Sequence, residues 1–160
     1  MRENIGLFRG KRIDNGEWVE GNLLGPDAMF NEWYIVITEG FCRAVDPDTV
    51  GECTGLKDKN GKLIFEGDIV RYGLFYDYNC FLESLEHPEE YDNEVYDDDI
   101  EIDYVQWGGE WEYPAFDLAN HNFESNGLST IASGDYEYEI IGNIHDNPEL
   151  LKGGDGWWLI

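Results

Sequence analysis

The chain has 160 residues, enough for one domain with its own hydrophobic core. Hydrophobic residues make up 42% and aromatics 15%, which excludes a wholly disordered chain, because disordered chains lack the apolar groups that offset ordering entropy. Ten basic against 35 acidic residues give 10 − 35 = −25, a field that repels nucleic acid and anionic membrane and attracts basic surfaces or cations.

The imbalance is local. Met1 to Arg71 carries nine basic and 13 acidic residues, whereas Tyr72 to Leu151 carries 21 acidic residues and neither Lys nor Arg. No apolar run approaches the roughly 18 residues of a membrane span, and the opening MRENIGLFRGKR has no apolar signal segment, so a cytoplasmic protein of the host cell is expected. Cys42, Cys53 and Cys80 are odd in number, widely spaced and without a CxxC pair, which points to neither a disulfide framework nor a zinc site.

In chain order, Asn15-Gly16 between short apolar runs predicts a hairpin whose second strand covers Glu17 to Leu24. Trp33 to Thr38 (WYIVIT) reads as a buried strand, turned by Glu39-Gly40 into Phe41 to Val45. After Asp46-Pro47-Asp48, the piece Thr49 to Cys53 fits one 3₁₀ or helical turn, and Asn60-Gly61 marks a second hairpin before a strand at Asp68 to Tyr72. Eleven carboxylates crowd Glu83 to Asp103 and read as an acidic loop or insertion, with a short helix from Pro88. Strands are expected again over Ile100 to Trp107 and Glu110 to Phe116, then a polar loop over Asn120 to Ser133. From Asp135 the chain alternates, with Asp135, Glu137 and Glu139 on one face and Tyr136, Tyr138 and Ile140 on the other. Asp146-Asn147-Pro148 then caps a short C-terminal helix.

Two stretches carry a family resemblance. Val45 to Lys62, containing TGLKDKNGK, runs on into Glu66-Gly67-Asp68-Ile69-Val70, and Tyr138 to Leu151 reads YEIIGNIHDNPELL. Both, in this order, resemble the core and closing motifs of the YopX family of phage-encoded proteins, with the Trp18 segment and Val105-Gln106-Trp107 in fitting places. The resemblance implies a phage or mobile-element origin and an SH3-like barrel, and it brings no catalytic residues with it. The expected fold is therefore all-β: one small SH3-like β-barrel domain over 1–160, with an acidic insertion at about 75–103, an apolar tail at 153–160 and a short C-terminal helix.

Asp58-Lys59-Asn60-Gly61 begins like a calcium loop, yet the following residues offer no ligands in register, and a hairpin turn fits better. Asp97, Asp98 and Asp99 in extended chain would point to alternate sides and do not converge on an ion. His87, His121 and His145 stand apart from any Ser or Cys nucleophile pattern, and no phosphate loop or HExxH is present, so neither an enzyme, a cofactor nor a metal is expected.

The acidic field has a plain reading, solvation, and a functional one, mimicry of the phosphate charge that basic proteins neutralise. In the second, a basic nucleic-acid-binding host factor, such as a CRISPR effector or restriction nuclease, is bound and inhibited without direct contact of this chain with nucleic acid or membrane. The carboxylates expected at that interface are Glu89, Glu90, Asp92, Glu94, Asp97, Asp98, Asp99, Glu101, Asp103, Asp135, Glu137 and Glu139, with Tyr91, Tyr96, Trp107 and Trp111 as aromatic anchors. Trp157 and Trp158, after a Gly-rich spacer, pack back on the core or dock onto a partner or second protomer. The alternative is a structural or regulatory module that oligomerises through the barrel and this tail.

Overall fold

The computed structural model describes residues 4, 6–37, 40–90, 99–108 and 114–151. Among these, ten strands and two α-helices follow one another as β1 (Phe8–Lys11), β2 (Trp18–Leu24), β3 (Trp33–Val36), β4 (Cys42–Val45), β5 (Gly51–Lys57), β6 (Leu63–Phe65), β7 (Asp68–Leu74), α1 (Phe75–Glu86), β8 (Glu101–Trp107), β9 (Phe116–Leu118), α2 (Gly127–Ala132) and β10 (Tyr136–Asn143). The chain divides into two compact units, 1–56 with 63–66, and 57–62 with 67–160.

The first unit is a six-stranded sheet in the order β4-β3-β2-β1-β5-β6. The Asn15-Gly16 signal makes the β1–β2 turn: Gly16 takes φ +71° and the Asn15 side-chain oxygen accepts the Glu17 N–H at 2.9 Å. Ile35, Val45, Cys53, Ile64 and Phe65 are its buried apolar residues. The Arg9 guanidinium lies between the Trp18 and Phe65 rings, 4.8 and 5.0 Å from their centres. The outer strand β4 meets the chain at and just after β1, through an isolated bridge from Arg12 to Val45 and the close approach of Val45 to Gly10. Pro47, which has no N–H to donate, then starts a 3₁₀ turn over Pro47–Thr49, and the ladder ends there. Both sheets stay open, so the expected closed barrel is corrected to two antiparallel sheets, while the mainly-β expectation holds.

The second unit is a four-stranded antiparallel sheet, β10-β7-β8-β9. Register sets its two faces. Arg71 pairs with Glu139 and Ile102 on one face, and Tyr72 pairs with Tyr138 and Glu101 on the other. Helix α1 meets the first face through the wholly buried Tyr78, and α2 packs on β9 and β10. The alternation of β10 is therefore real, yet all eight of its residues are half-buried rather than alternately buried and exposed.

The helical expectations need correction, beginning with the turn expected over Thr49 to Cys53, which lies at Pro47–Thr49 with Gly51 to Cys53 already in β5. The acidic segment opens with the twelve-residue helix α1 rather than a loop, and residues 88–90 form a turn instead of a helix. Tyr78, Phe81 and Ser84, three apart on one stripe, are buried, and packing outweighs the modest helix propensity of aromatic residues. Pro88 disfavours helical backbone at His87, and α1 stops there. The expected polar loop over Asn120 to Ser133 contains α2, capped by the Asn126 side chain accepting the Ser129 N–H at 2.7 Å. The C-terminal helix is a single 3₁₀ turn, Pro148–Leu151.

Gly127 opens α2 against the face of the His121 ring: a Cβ there would sit 2.7 Å from His121 Cγ and Cδ2. The ring is held at both nitrogens and does not swing away. Overpacking costs of about 1–3 kcal/mol exceed the gain in helix propensity, so Gly127→Ala is expected to lower stability by roughly 1–2 kcal/mol in urea denaturation. An unchanged midpoint would show that the ring yields freely.

Candidate functional site

A pocket of about 460 Å³ opens on the Tyr72 face of the four-stranded sheet, where β7 runs into α1. Its floor is aromatic. Tyr72 lies 6.1 Å from Phe123 and 6.4 Å from Tyr136, and Phe123 and Tyr136 meet edge-on at 5.8 Å. Asp77 from α1, Asp99 and Glu101 stand around it, together with Asn120, His121 and Asn122. Gly73 shapes one wall, because a Cβ would meet Ile100 Cδ1 at 2.7 Å and the Asp99 carbonyl at 3.2 Å; only glycine admits segment 99–100 so close to β7.

Beneath the pocket, Asp117 is fully buried and His121 nearly so. Asp117 Oδ2 faces His121 Nε2 at 3.0 Å, and Oδ1 accepts the backbone N–H groups of Leu118 and Gly127, both at 2.7 Å, and Leu128 at 3.3 Å. His121 Nδ1 accepts the Phe123 N–H at 3.1 Å, which fixes the tautomer with the proton on Nε2. Both ring nitrogens are thus occupied, and this Asp–His pair positions a loop and a helix start instead of activating a nucleophile. Sequence reasoning passed over Asp117, although its spacing of four from His121 was there to read.

The expected interface residues fall into three sets. Glu89, Glu90, Asp99, Glu101 and Asp135 are exposed and Glu137 is half-buried. Trp107 is 53% exposed, edge-on to Phe116 at 4.9 Å. Asp103 and Glu139 are drawn inward. Asp103, 3% exposed, accepts the Tyr104 N–H, the Asn120 N–H and the Asn120 side-chain amide at 2.7–3.1 Å. Burial pushes its carboxyl above the usual carboxylate range, against the pull of those hydrogen bonds. Glu139 is held by Arg71 and Tyr78, so the row Asp135, Glu137, Glu139 does not form a continuous charged surface. Tyr91, Asp92, Glu94, Tyr96, Asp97, Asp98, Trp111, Trp157 and Trp158 lie outside the described residues.

The two motif stretches turn out to be scaffold. Asp58 Oδ1 accepts the Asn60 and Lys62 N–H groups at 2.9 Å, and its Oδ2 accepts the Ile140 N–H at 3.0 Å, tying the Asn-Gly turn to β10. Gly67 donates to Val105 and accepts from Ile144, at 2.8 and 2.9 Å. Asn143 Oδ1 gathers the His145 and Asp146 N–H groups, and Gly142 leaves room for Asn147, which a Cβ would meet at 2.6 Å. Among the described residues, no three His, Cys, Asp or Glu side chains come together to hold a metal ion, and no helix is long and apolar enough to cross a membrane.

Protein EF1440 from Enterococcus faecalis, known from its crystal structure, is similar in fold, with a TM-score of 0.50 and 24% identity over 90% of this chain and 96% of that one. No curated protein sequence matches this chain. The family model described as YopX protein spans residues 7–152, from the first strand through both motif stretches to the closing 3₁₀ turn, and the chain belongs to the YopX family.

Proposed function

We propose that the protein is a non-enzymatic, phage-derived binding protein whose acidic unit docks onto the basic surface with which a host factor, such as a defence nuclease, holds nucleic acid, and so blocks it. The observation that carries this reading is the exposed series Glu83, Glu86, Glu89 and Glu90 at the C-terminal end of α1 and just beyond it. The last turn of α1 holds no basic residue. Carboxylates there face the negative end of the helix dipole, which costs each a few tenths of a kcal/mol or more and makes the series a poor choice for stability alone. Within Tyr72 to Leu151 no Lys or Arg offsets it. Association is then steered by charge and weakens with salt.

The test is capture of nuclease-rich host extract on the immobilised protein, with a salt gradient and added duplex DNA. Wild type is expected to retain basic nucleic-acid-binding proteins that DNA displaces. The triple variant Glu86→Lys, Glu89→Lys, Glu90→Lys is expected to lose that capture while its thermal midpoint stays level or rises, since lysine favours a helix C-terminus. Capture that DNA leaves untouched, or that survives the reversal, overturns the reading.

A further inference from the structure

The pocket beside Tyr72 has chemistry of its own, apart from the acidic series on α1. Its floor of Tyr72, Phe123 and Tyr136 offers π-faces, and Asp77, Asp99 and Glu101 supply negative charge at its edge with no Lys or Arg in the lining. Tyr72 adds a polar atom to that floor. The residue is only 4% exposed, it lines the pocket, and its hydroxyl makes no hydrogen bond among the described residues. The hydroxyl oxygen keeps contact with solvent, so it is open to a donor from a ligand. A bare divalent ion does not suit the site, since no three ligating side chains converge among the described residues. A diffuse charge on a flat or alkylated head does suit it: aromatic faces attract such cations, and surrounding carboxylates add charge-assisted hydrogen bonds.

We propose that this pocket binds an organic cation, an alkylguanidinium or alkylammonium head, lying on the Tyr72–Phe123–Tyr136 floor with its N–H groups directed to the Tyr72 hydroxyl and to Asp99 and Glu101. The head arrives either as a side chain of a basic protein or as a free polyamine. The site adds to the docking function proposed above and does not depend on it.

The full chain is titrated by calorimetry with N-acetyl-arginine amide and with spermidine, and with N-acetyl-norleucine amide as an uncharged match. Both cations, or one of them, are expected to bind while the norleucine amide does not; preference for the arginine amide points to a protein side chain, and preference for spermidine to a polyamine. The double variant Asp99→Asn, Glu101→Gln is expected to weaken binding by about tenfold. The control Glu20→Gln, Glu149→Gln, which removes equal charge from exposed positions outside the lining, is expected to leave it unchanged. Tyr72→Phe separates binding from folding: it removes a hydroxyl without a partner, so stability is kept or raised, while cation affinity falls several-fold. Equal weakening by the control pair shows a diffuse field and overturns the site. So does binding of the norleucine amide as strong as that of the cations, silence of both cations at millimolar concentration, or a Tyr72→Phe variant of full affinity.

Discussion

Asp117→Ala is expected to remove about 4 kcal/mol of folding stability from the second unit, most of what a small domain has to spare. The side chain is fully buried and serves at least four donors: the Leu118 N–H at the end of β9, the Gly127 and Leu128 N–H groups at the start of α2, and the His121 imidazole. Alanine leaves all four without an acceptor, and each buried unmet donor costs about 1–3 kcal/mol before relaxation recovers part of it. Asp117→Asn keeps one oxygen for the backbone donors but turns an N–H₂ group toward His121 Nε2–H, so about half the loss is expected. Urea denaturation followed by circular dichroism reads both values. If Asp117→Ala loses less than about 1 kcal/mol, the Asp–His pair is incidental to the fold and not its anchor.

What the sequence disclosed, and what it hid, follows from how far each signal reaches along the chain. Asn15-Gly16 and Asn60-Gly61 specify their turns through residues in immediate succession, and both turns are found where expected. The alternation of Asp135 to Ile140 likewise placed the start of β10 within a residue, although the strand runs on to Asn143. Burial is a long-range property, and there the reading failed. Counting carboxylates does not reveal that Asp58, Asp103 and Asp117 face inward to hold backbone N–H groups contributed by other elements. Part of the acid excess is therefore structural, and the surface that meets a partner is smaller than composition implies. Helix α1 was missed for a related reason: its six aromatic and leucine side chains look like strand material until a sheet face is present for Tyr78 and Phe81 to cover. The pocket was the least legible feature, since it gathers Tyr72, Asp99, His121 and Tyr136 from four separate segments. Tyr136 and Asp99 were visible as pattern and charge, but nothing in the sequence brings them to one place.

Arg71 is the last cation before the long acidic stretch, and its loss is expected to cost about 3 kcal/mol near neutral pH. Its Nη2 donates to Glu139 Oε1 at 2.5 Å, the Tyr78 hydroxyl donates to the same oxygen at 2.5 Å, and Arg71 Nε donates to that hydroxyl at 3.3 Å. The guanidinium also lies over the Phe81 ring at 5.1 Å. Arg71→Ala leaves the Glu139 charge under α1 held by the Tyr78 phenol and a long contact from the Asn60 amide at 3.5 Å. The pH dependence follows from Glu139 itself. Burial alone would raise its carboxyl, but the bonds from Tyr78 and Arg71 outweigh burial and hold it below the usual carboxylate range. A carboxylate depressed in the folded state stabilises fully above its unfolded pKa of about 4.3 and loses that contribution as pH falls through the lower folded value. Asp103, raised by burial, acts in the opposite sense: its contribution is full below the unfolded value and lost as pH rises through the folded one. Glu139→Gln removes the first dependence and leaves the second. The stability gap between wild type and Glu139→Gln is therefore expected to be widest at pH 6–7 and to close between about pH 5 and 3, with Asp103 cancelling in the difference. The gap for Arg71→Ala narrows over the same interval as the stranded carboxylate takes up its proton. Guanidinium denaturation midpoints measured at pH 7, 5 and 3 provide the comparison. A gap of constant size across all three would mean that Glu139 draws no stability from Arg71 and Tyr78, and that α1 is held on the sheet by its apolar stripe alone.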